Sequence, residues 1–416
     1  MDLAKTSLTF RSDRSERLAP FTLEFQTSCG EDFVNHRLQL VMAMTSAVIW
    51  GAQIVIPDAN VFEERNKGAG SQFSSLYSFE LQQDPLRKVF RDYWCKPQQK
   101  SLRAAELWCS NDYMPTIINR STAQRLLKKT QTPAWGWRQC DPQLAFMGAS
   151  SHFFAAQTWS LWEASDGVSL LKPMHVEVVK CDCIFGSKDR VLELSDQDWK
   201  VDSTLRFNDE INDLVQQIKV KLPHYQDMAQ TTAQRLGYRL PPLRRRSKEQ
   251  SMEFTHHVLQ LLLEDPCKDK SADNCMNNTY EVGNVMLAEG VDPNLPVYVM
   301  NSSKMITTQP FGATGPVTFS EGPITPAAPR AMESLTTIYT LVTKELILGP
   351  LNATYAMAID YVMASEAEVF VGNSIPDVSG YLMLSRARYQ PSMRNIHYNG
   401  GAIPVEDAGL RVNRTS

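Results

Sequence analysis

A glycine, acids, an amide, an imidazole and a guanidinium stand together in Gly30-Glu-Asp-Phe-Val-Asn-His-Arg37. They come directly before twenty residues without a formal charge, Leu38 to Pro57. Such groups at a helix start could hold an anion or move a proton. Each also has a plain structural use. Asn35 can cap the helix that follows, Arg37 can pair with Glu31 or Asp32, and a carboxylate near a helix start is favourable without any catalytic part. A second glycine-led loop, Gly372-Asn373-Ser374, also runs into a helical pattern. A diphosphate needs backbone N–H groups at helix N-termini together with cationic side chains. Both loops have the form of such a site.

Other chemistries fare worse. Neither a GxSxG nucleophile elbow nor a GxxxxGK[ST] phosphate loop occurs. The eight cysteines include no CxxC pair, which removes zinc-ribbon and thioredoxin readings. His256 and His257 are adjacent, too tight for a two-ligand helical metal site. Asp196-Gln-Asp198 forms a DxD, but without the strand end on which that motif binds metal. No metal is therefore expected. A net charge of -4 gives no global field toward nucleic acid or an anionic membrane, so an anionic ligand must be held locally.

The elements that would position these groups follow an α/β logic. Phe21, Leu23 and Phe25 alternate as a strand, a helix spans about 35–50, Gly51-Ala52 breaks it, and a short strand follows at 53–56. This βαβ unit points to a parallel sheet. The uncharged run is long enough to be weighed as a membrane span, but Gln39, Thr45, Ser46, Gly51 and Gln53 within it favour a buried helix and strand. Further strands are expected at 175–185, 257–263, 296–300 and in Glu-Val-Phe-Val-Gly-Asn. Helices are expected over 205–222, with Phe207, Ile211, Leu214, Val215 and Ile218 on a core face, and over Ala331–Leu346, Ala353–Ser365 and Val378–Tyr389. Two prolines and a basic run at 240–250 suggest a boundary between domains of about 20–240 and 250–416, with a ligand in the cleft between them.

Five N-x-S/T sequons start at Asn119, Asn277, Asn301, Asn352 and Asn413, against about two or three by chance. They lean toward the secretory pathway, although the first twenty residues have no apolar signal region. Disulfides are compatible with the cysteine count, with Cys267 to Cys275 the most plausible local bridge.

The segment GEDFVNHRLQLVMAMTSAVIWGAQIVIPD resembles the opening of the GDP-fucose protein O-fucosyltransferases and their plant and algal relatives. AIDYVMASEAEVFVGNSIPDVSGYLMLSRARY resembles their final donor-binding segment, and PVYVMNSS is similar to their Pro-Val-Tyr-Val-Ala-Thr strand. The resemblance covers about half of the chain. It implies a GT-B-like fold of two Rossmann-like domains, GDP-fucose as donor, no cofactor or metal, and inverting transfer of fucose to a hydroxyl of a protein or glycan. It also implies an endoplasmic reticulum or Golgi location, any membrane anchor lying outside this sequence, and no nucleic-acid partner. Glu31 is then placed like the family's general base. Arg37 stands beside the departing phosphate, with Gly30, Asn35, His36, Gly372, Asn373, Ser374 and Ser379 around the donor. Asp360 matches an acidic position near the donor's base; its alternative is a helix residue facing solvent.

Two departures bear on that implication. Family members carry His-x-Arg on the strand that here reads HHVLQLLLED, so Gln260 stands at the histidine position and Leu262 at the arginine position. Strand alternation turns His257 to the opposite face from Gln260. In the loop after Gly372-Asn373, Asp377 would bring negative charge toward a diphosphate. Either other cations hold the donor, with Arg37, Arg244 to Arg246 and Lys304 available, or the chain is a catalytically silent relative that binds a glycan or protein. A transferase of another nucleotide sugar is the third reading.

Overall fold

The computed structural model describes residues 21–25, 53–56, 76–95, 117–119, 134–137, 174–178, 194–237, 256–260, 279–300, 335–351, 353–372 and 378–397, with Arg125 and seven residues between 37 and 48. Strands β1 (Phe21–Phe25), β2 (Gln53–Ile56), β3 (Ile117–Asn119), β4 (Ala134–Trp137) and β5 (Met174–Val178) form one sheet in the order β3-β2-β1-β5-β4. A second sheet joins β6 (His257–Gln260), β7 (Val297–Met300), β8 (Leu341–Val342), β9 (Val369–Gly372) and β10 (Arg394–His397) in the order β10-β9-β6-β7-β8. Every pairing within these two sheets is parallel. Parallel sheets are covered on both faces, and the runs Val-Tyr-Val-Met and Val-Phe-Val-Gly are buried throughout. In each sheet the winding reverses beside the first strand, between β1 and β5 and between β6 and β9. At such a reversal the crevice outside the carboxyl ends of the strands is open to a ligand.

The helices described along their length are α1 (Phe79–Trp94), α2 (Asp196–Asp202), α3 (Asp209–Lys221), α4 (Gln226–Arg235), α5 (Thr279–Ala288), α6 (Lys344–Leu348), α7 (Ala353–Ser365) and α8 (Val378–Tyr389), and the described residues between 37 and 48 are helical as well. Helix α3 shows how sequence sets a boundary. The Asn208 side chain accepts from the Ile211 amide at 2.9 Å, acids fill the first turn and lysines the last, and Pro223 opens the 3-10 turn that follows. Ile211, Val215 and Ile218 are buried as the periodicity predicts.

Side chains alternate between the two faces of the second sheet. Val258, Tyr298 and Phe370 join α7, α8, α3 and the helical residues Leu40, Val41, Met44, Ala47 and Val48 in one core cluster. Leu259, Val297, Val299, Val369 and Val371 pack with α5 in the other. Helix α3 lies before the basic run at 240–250 yet packs on α6 and α7. There Lys221 Nζ donates to the Ile347 carbonyl at 3.2 Å and the Tyr355 hydroxyl to Glu210 at 2.8 Å. Packing therefore runs across that segment.

Two expectations are corrected. The helix over Ala331–Leu346 does not run unbroken: the helical residues Leu335 and Thr336 end in a turn at Thr337 and Ile338, which leads to strand β8 and then to α6. The crowded β-branched run Thr336-Thr337-Ile338 disfavours helix, and Thr343 caps a new one by accepting from Leu346 N. Strand β10 was not foreseen, because its sequence, Arg-Asn-Ile-His, is that of a polar sheet edge. Among the described residues no helix is long and apolar enough to cross a membrane. Cys95 is disulfide-bonded, while Cys267 and Cys275 lie outside the described residues.

Candidate functional site

The reversal in the second sheet places Gln260, the last residue of β6, beside the end of β9 at Gly372. Helix α8 starts six residues later and brings Ser379 against both. The Ser379 hydroxyl donates to Gln260 Oε1, and both side chains are buried. Gly372 is needed for that approach. A Cβ there would lie 3.0 Å from Ser379 Oγ, 3.0 Å from Phe370 and 3.1 Å from the Met383 methyl. Three residues named from the sequence, Gln260, Gly372 and Ser379, thus meet at one point, under a helix N-terminus whose first amides have no intrahelical partner.

Strand β10 adds a residue that the sequence reading missed. His397 pairs in register with Gly372, and both of its ring nitrogens are buried without a hydrogen-bond partner. Its pKa is pushed below the usual imidazole value, and burial is the cause. Leaving a buried polar atom unsatisfied costs about 1–3 kcal/mol. The signal in the sequence was a histidine two residues after an asparagine on an edge strand, which resembles no motif.

Arg37 stands elsewhere. It continues the apolar stripe of its helix, one turn before Leu40 and Val41, and is itself only 4% exposed. Its Nε donates to Asp202 Oδ1 at 2.9 Å, and its Nη2 donates to the carbonyls of Asp202 and Leu205 at 3.1 and 3.2 Å. The guanidinium carbon lies 4.9 Å from the Tyr361 ring centroid, 5.5 Å from Phe207 and 5.9 Å from Tyr77. Burial opposes the charge, but Asp202 and the surrounding tyrosines outweigh it and hold the group protonated. Stacking of Tyr361 on Tyr381 and of Tyr381 on Trp199 extends this knot into α8 and α2. A cavity of about 310 Å³ opens beside it, lined by Arg37, Asp202, Arg206, Tyr361, Arg386 and Tyr389 among others. Its main charges are engaged: Arg37 with Asp202, and Arg386 with the carbonyls of Ala364 and Arg394 at 2.6 and 3.2 Å.

Asp360 faces inward rather than to solvent. It accepts from the Tyr298 hydroxyl at 2.6 Å and from Lys344 Nζ at 2.8 Å, and Lys344 also lies 3.1 Å from Glu345. Burial pushes the Asp360 carboxyl up to about 6 against the pull of Lys344. The DxD residues open α2: Asp198 forms a capping box with Ser195, and Asp196 pairs with Arg388. No three metal-ligating side chains cluster among the described residues. His257 is buried on the face away from Gln260, as alternation requires. Gly30, Glu31, Asn35, His36, Asn373 and Ser374 lie outside the described residues, as do Leu262, Asp377, Arg244 to Arg246 and Lys304.

Comparison with known proteins gives only structural matches. A crystal structure of POFUT1 in complex with GDP-fucose (crystal form I) matches at 10% identity, covering 92% of this chain and 99% of that chain, with a TM-score of 0.46. One of POFUT1 in complex with GDP (crystal form III) matches at 10% identity over 91% and 99%, with a TM-score of 0.43. No family model and no curated protein matches this chain.

Proposed function

We propose that this chain binds GDP-fucose at the carboxyl edge of the second sheet. It then transfers fucose, with inversion and without metal or cofactor, to a hydroxyl of a protein or glycan acceptor. The observation that carries the reading is the reversal between β6 and β9, where Gln260, Gly372 and Ser379 gather beneath the first turn of α8. Backbone amides and the positive end of α8 suit a phosphate group, and the sequence resemblance selects guanine and fucose. Within this reading the two sheets are the two Rossmann-like halves of a GT-B-like fold.

Glu31 is the general base that takes the acceptor's proton as the bond to fucose forms. Asn35, His36, Asn373 and Ser374 line the donor. Asp360, locked to Lys344 and Tyr298, holds the wall near the base. Arg37, paired with Asp202 through Nε and Nη2, fixes the helix that follows Glu31 and keeps Nη1, which has no partner within the protein, for the leaving phosphate. The Cys95 disulfide and the five sequons support a lumenal location.

A second reading has its own observation. Gln260, Gly372 and Ser379 carry no charge, whereas a departing diphosphate is served best by a fixed cation. A silent relative that binds a glycan or protein would need none. Calorimetric titration with GDP-fucose, GDP-mannose and UDP-glucose, each with and without EDTA, separates the two. The transferase reading expects micromolar, EDTA-insensitive binding of GDP-fucose with at least tenfold preference over UDP-glucose. No binding of any nucleotide sugar leaves the silent relative.

A further inference from the structure

We infer that His397 is a binding residue for the diphosphate, meeting it from β10 while the first turn of α8 meets it from the other side. The inference rests on the nucleotide reading above and extends it by one residue. His397 follows Asn395 by two positions on the same face of β10, and the Asn395 amide donates to the Met383 carbonyl of α8 at 3.2 Å. The imidazole therefore faces the helix that carries Ser379. Its partner in register is Gly372, the residue whose missing side chain lets Ser379 close on the strand end.

Sheet order puts Gln260, Gly372 and His397 side by side at the ends of β6, β9 and β10. The Ser379 hydroxyl donates to Gln260 Oε1, whereas the two nitrogens of His397 have no partner. A neutral imidazole has one donor and one acceptor to offer, and a protonated one has two donors. Native structures leave few buried polar atoms unpaired, and a ligand is one way to pair them.

The electrostatics fit an incoming anion. The nearby cation on α8, Arg386, is held by Asn395 Oδ1 at 2.8 Å and by backbone carbonyls. On β10, Arg394 turns to the Glu289 carbonyl and carboxylate. No carboxylate among the described residues perturbs His397, whose titration is shifted by burial alone. A phosphate oxygen arriving there would favour the protonated ring and replace the cation missing from β6.

The test is the imidazole titration of His397 by NMR in the full chain, assigned by its loss in His397→Gln, with and without GDP and with and without pyrophosphate. Either probe should raise the His397 midpoint by about one pH unit or more. His397→Leu should weaken GDP binding by tenfold or more and remove the tightening expected between pH 8 and pH 6. If GDP does not bind but pyrophosphate moves His397, the anion site stands and the nucleotide reading falls. If neither probe moves His397, or His397→Leu binds GDP as the unaltered chain does, the inference is overturned.

Discussion

Two polar regions of this molecule treat charge in opposite ways. At the Arg37 knot a full cation is buried, and its charge is met by Asp202, two carbonyls and three aromatic rings. At the carboxyl edge of β6, β9 and β10 the groups are uncharged, yet hydrogen-bonding capacity is left over at His397. The knot's charge is balanced within the protein, although Arg37 Nη1 is left without a hydrogen-bond partner, whereas at the edge both nitrogens of a neutral ring are unpaired. A charged residue in a sequence therefore points less surely to a ligand where the fold supplies its counter-charge, as Asp202 does for Arg37.

Breaking the knot should have the largest effect. Asp202→Ala leaves Arg37 buried without its counter-charge and should cost about 3–5 kcal/mol of stability in chemical denaturation. A loss below about 1 kcal/mol would mean that the rings and carbonyls suffice. The next largest effect is a pH dependence away from both regions. His256, whose Nε2 lies 2.9 Å from the Met363 carbonyl, is held down to about 4 by burial. Its unfolded form binds a proton near pH 6.5, so its contribution is complete above that pH and is lost as pH falls toward 4. This amounts to roughly 3 kcal/mol. Denaturation midpoints should fall across that window and flatten in His256→Gln; an unchanged slope would remove His256 from the account.

At the edge the expected stability effects are smaller and the binding effects larger. Gly372→Val must push Ser379, Phe370 or Met383 aside and should cost about 1–3 kcal/mol, together with most of the GDP affinity. Ser379→Ala removes one neutral hydrogen bond and should cost about 1 kcal/mol, while still weakening GDP binding in calorimetry. If these two variants bind GDP normally, the edge is mere packing and the contrast with the knot collapses.

The parts written in local sequence were legible. Helix α8 runs over Val378–Tyr389 as its spacing requires, and strands β1, β2, β6, β7 and β9 sit where short apolar runs end in turn residues. Non-local facts were not. Nothing near Arg37 announces Asp202, 165 residues away; the cluster that looked like a binding site could as well have paired within itself. The sequence leaves Asp360 open between a donor-side acid and a solvent-facing helix residue, because Lys344 and Tyr298, which turn it inward, come from other elements. His397 has no signal in the sequence because β10, Arg-Asn-Ile-His, has too few apolar residues to read as a strand. Gln260 reads as a lost histidine until Ser379 is seen to satisfy it.

Hydrogen exchange of the purified protein with and without saturating GDP compares the two regions in one experiment. Slower exchange in 257–260, 369–372 and the first turn of α8, with the amides of 202–207 and 361–365 unchanged, is the predicted outcome. Protection confined to the residues around Arg37, or no protection at the β6/β9 edge, would contradict the assignment of the ligand to that edge.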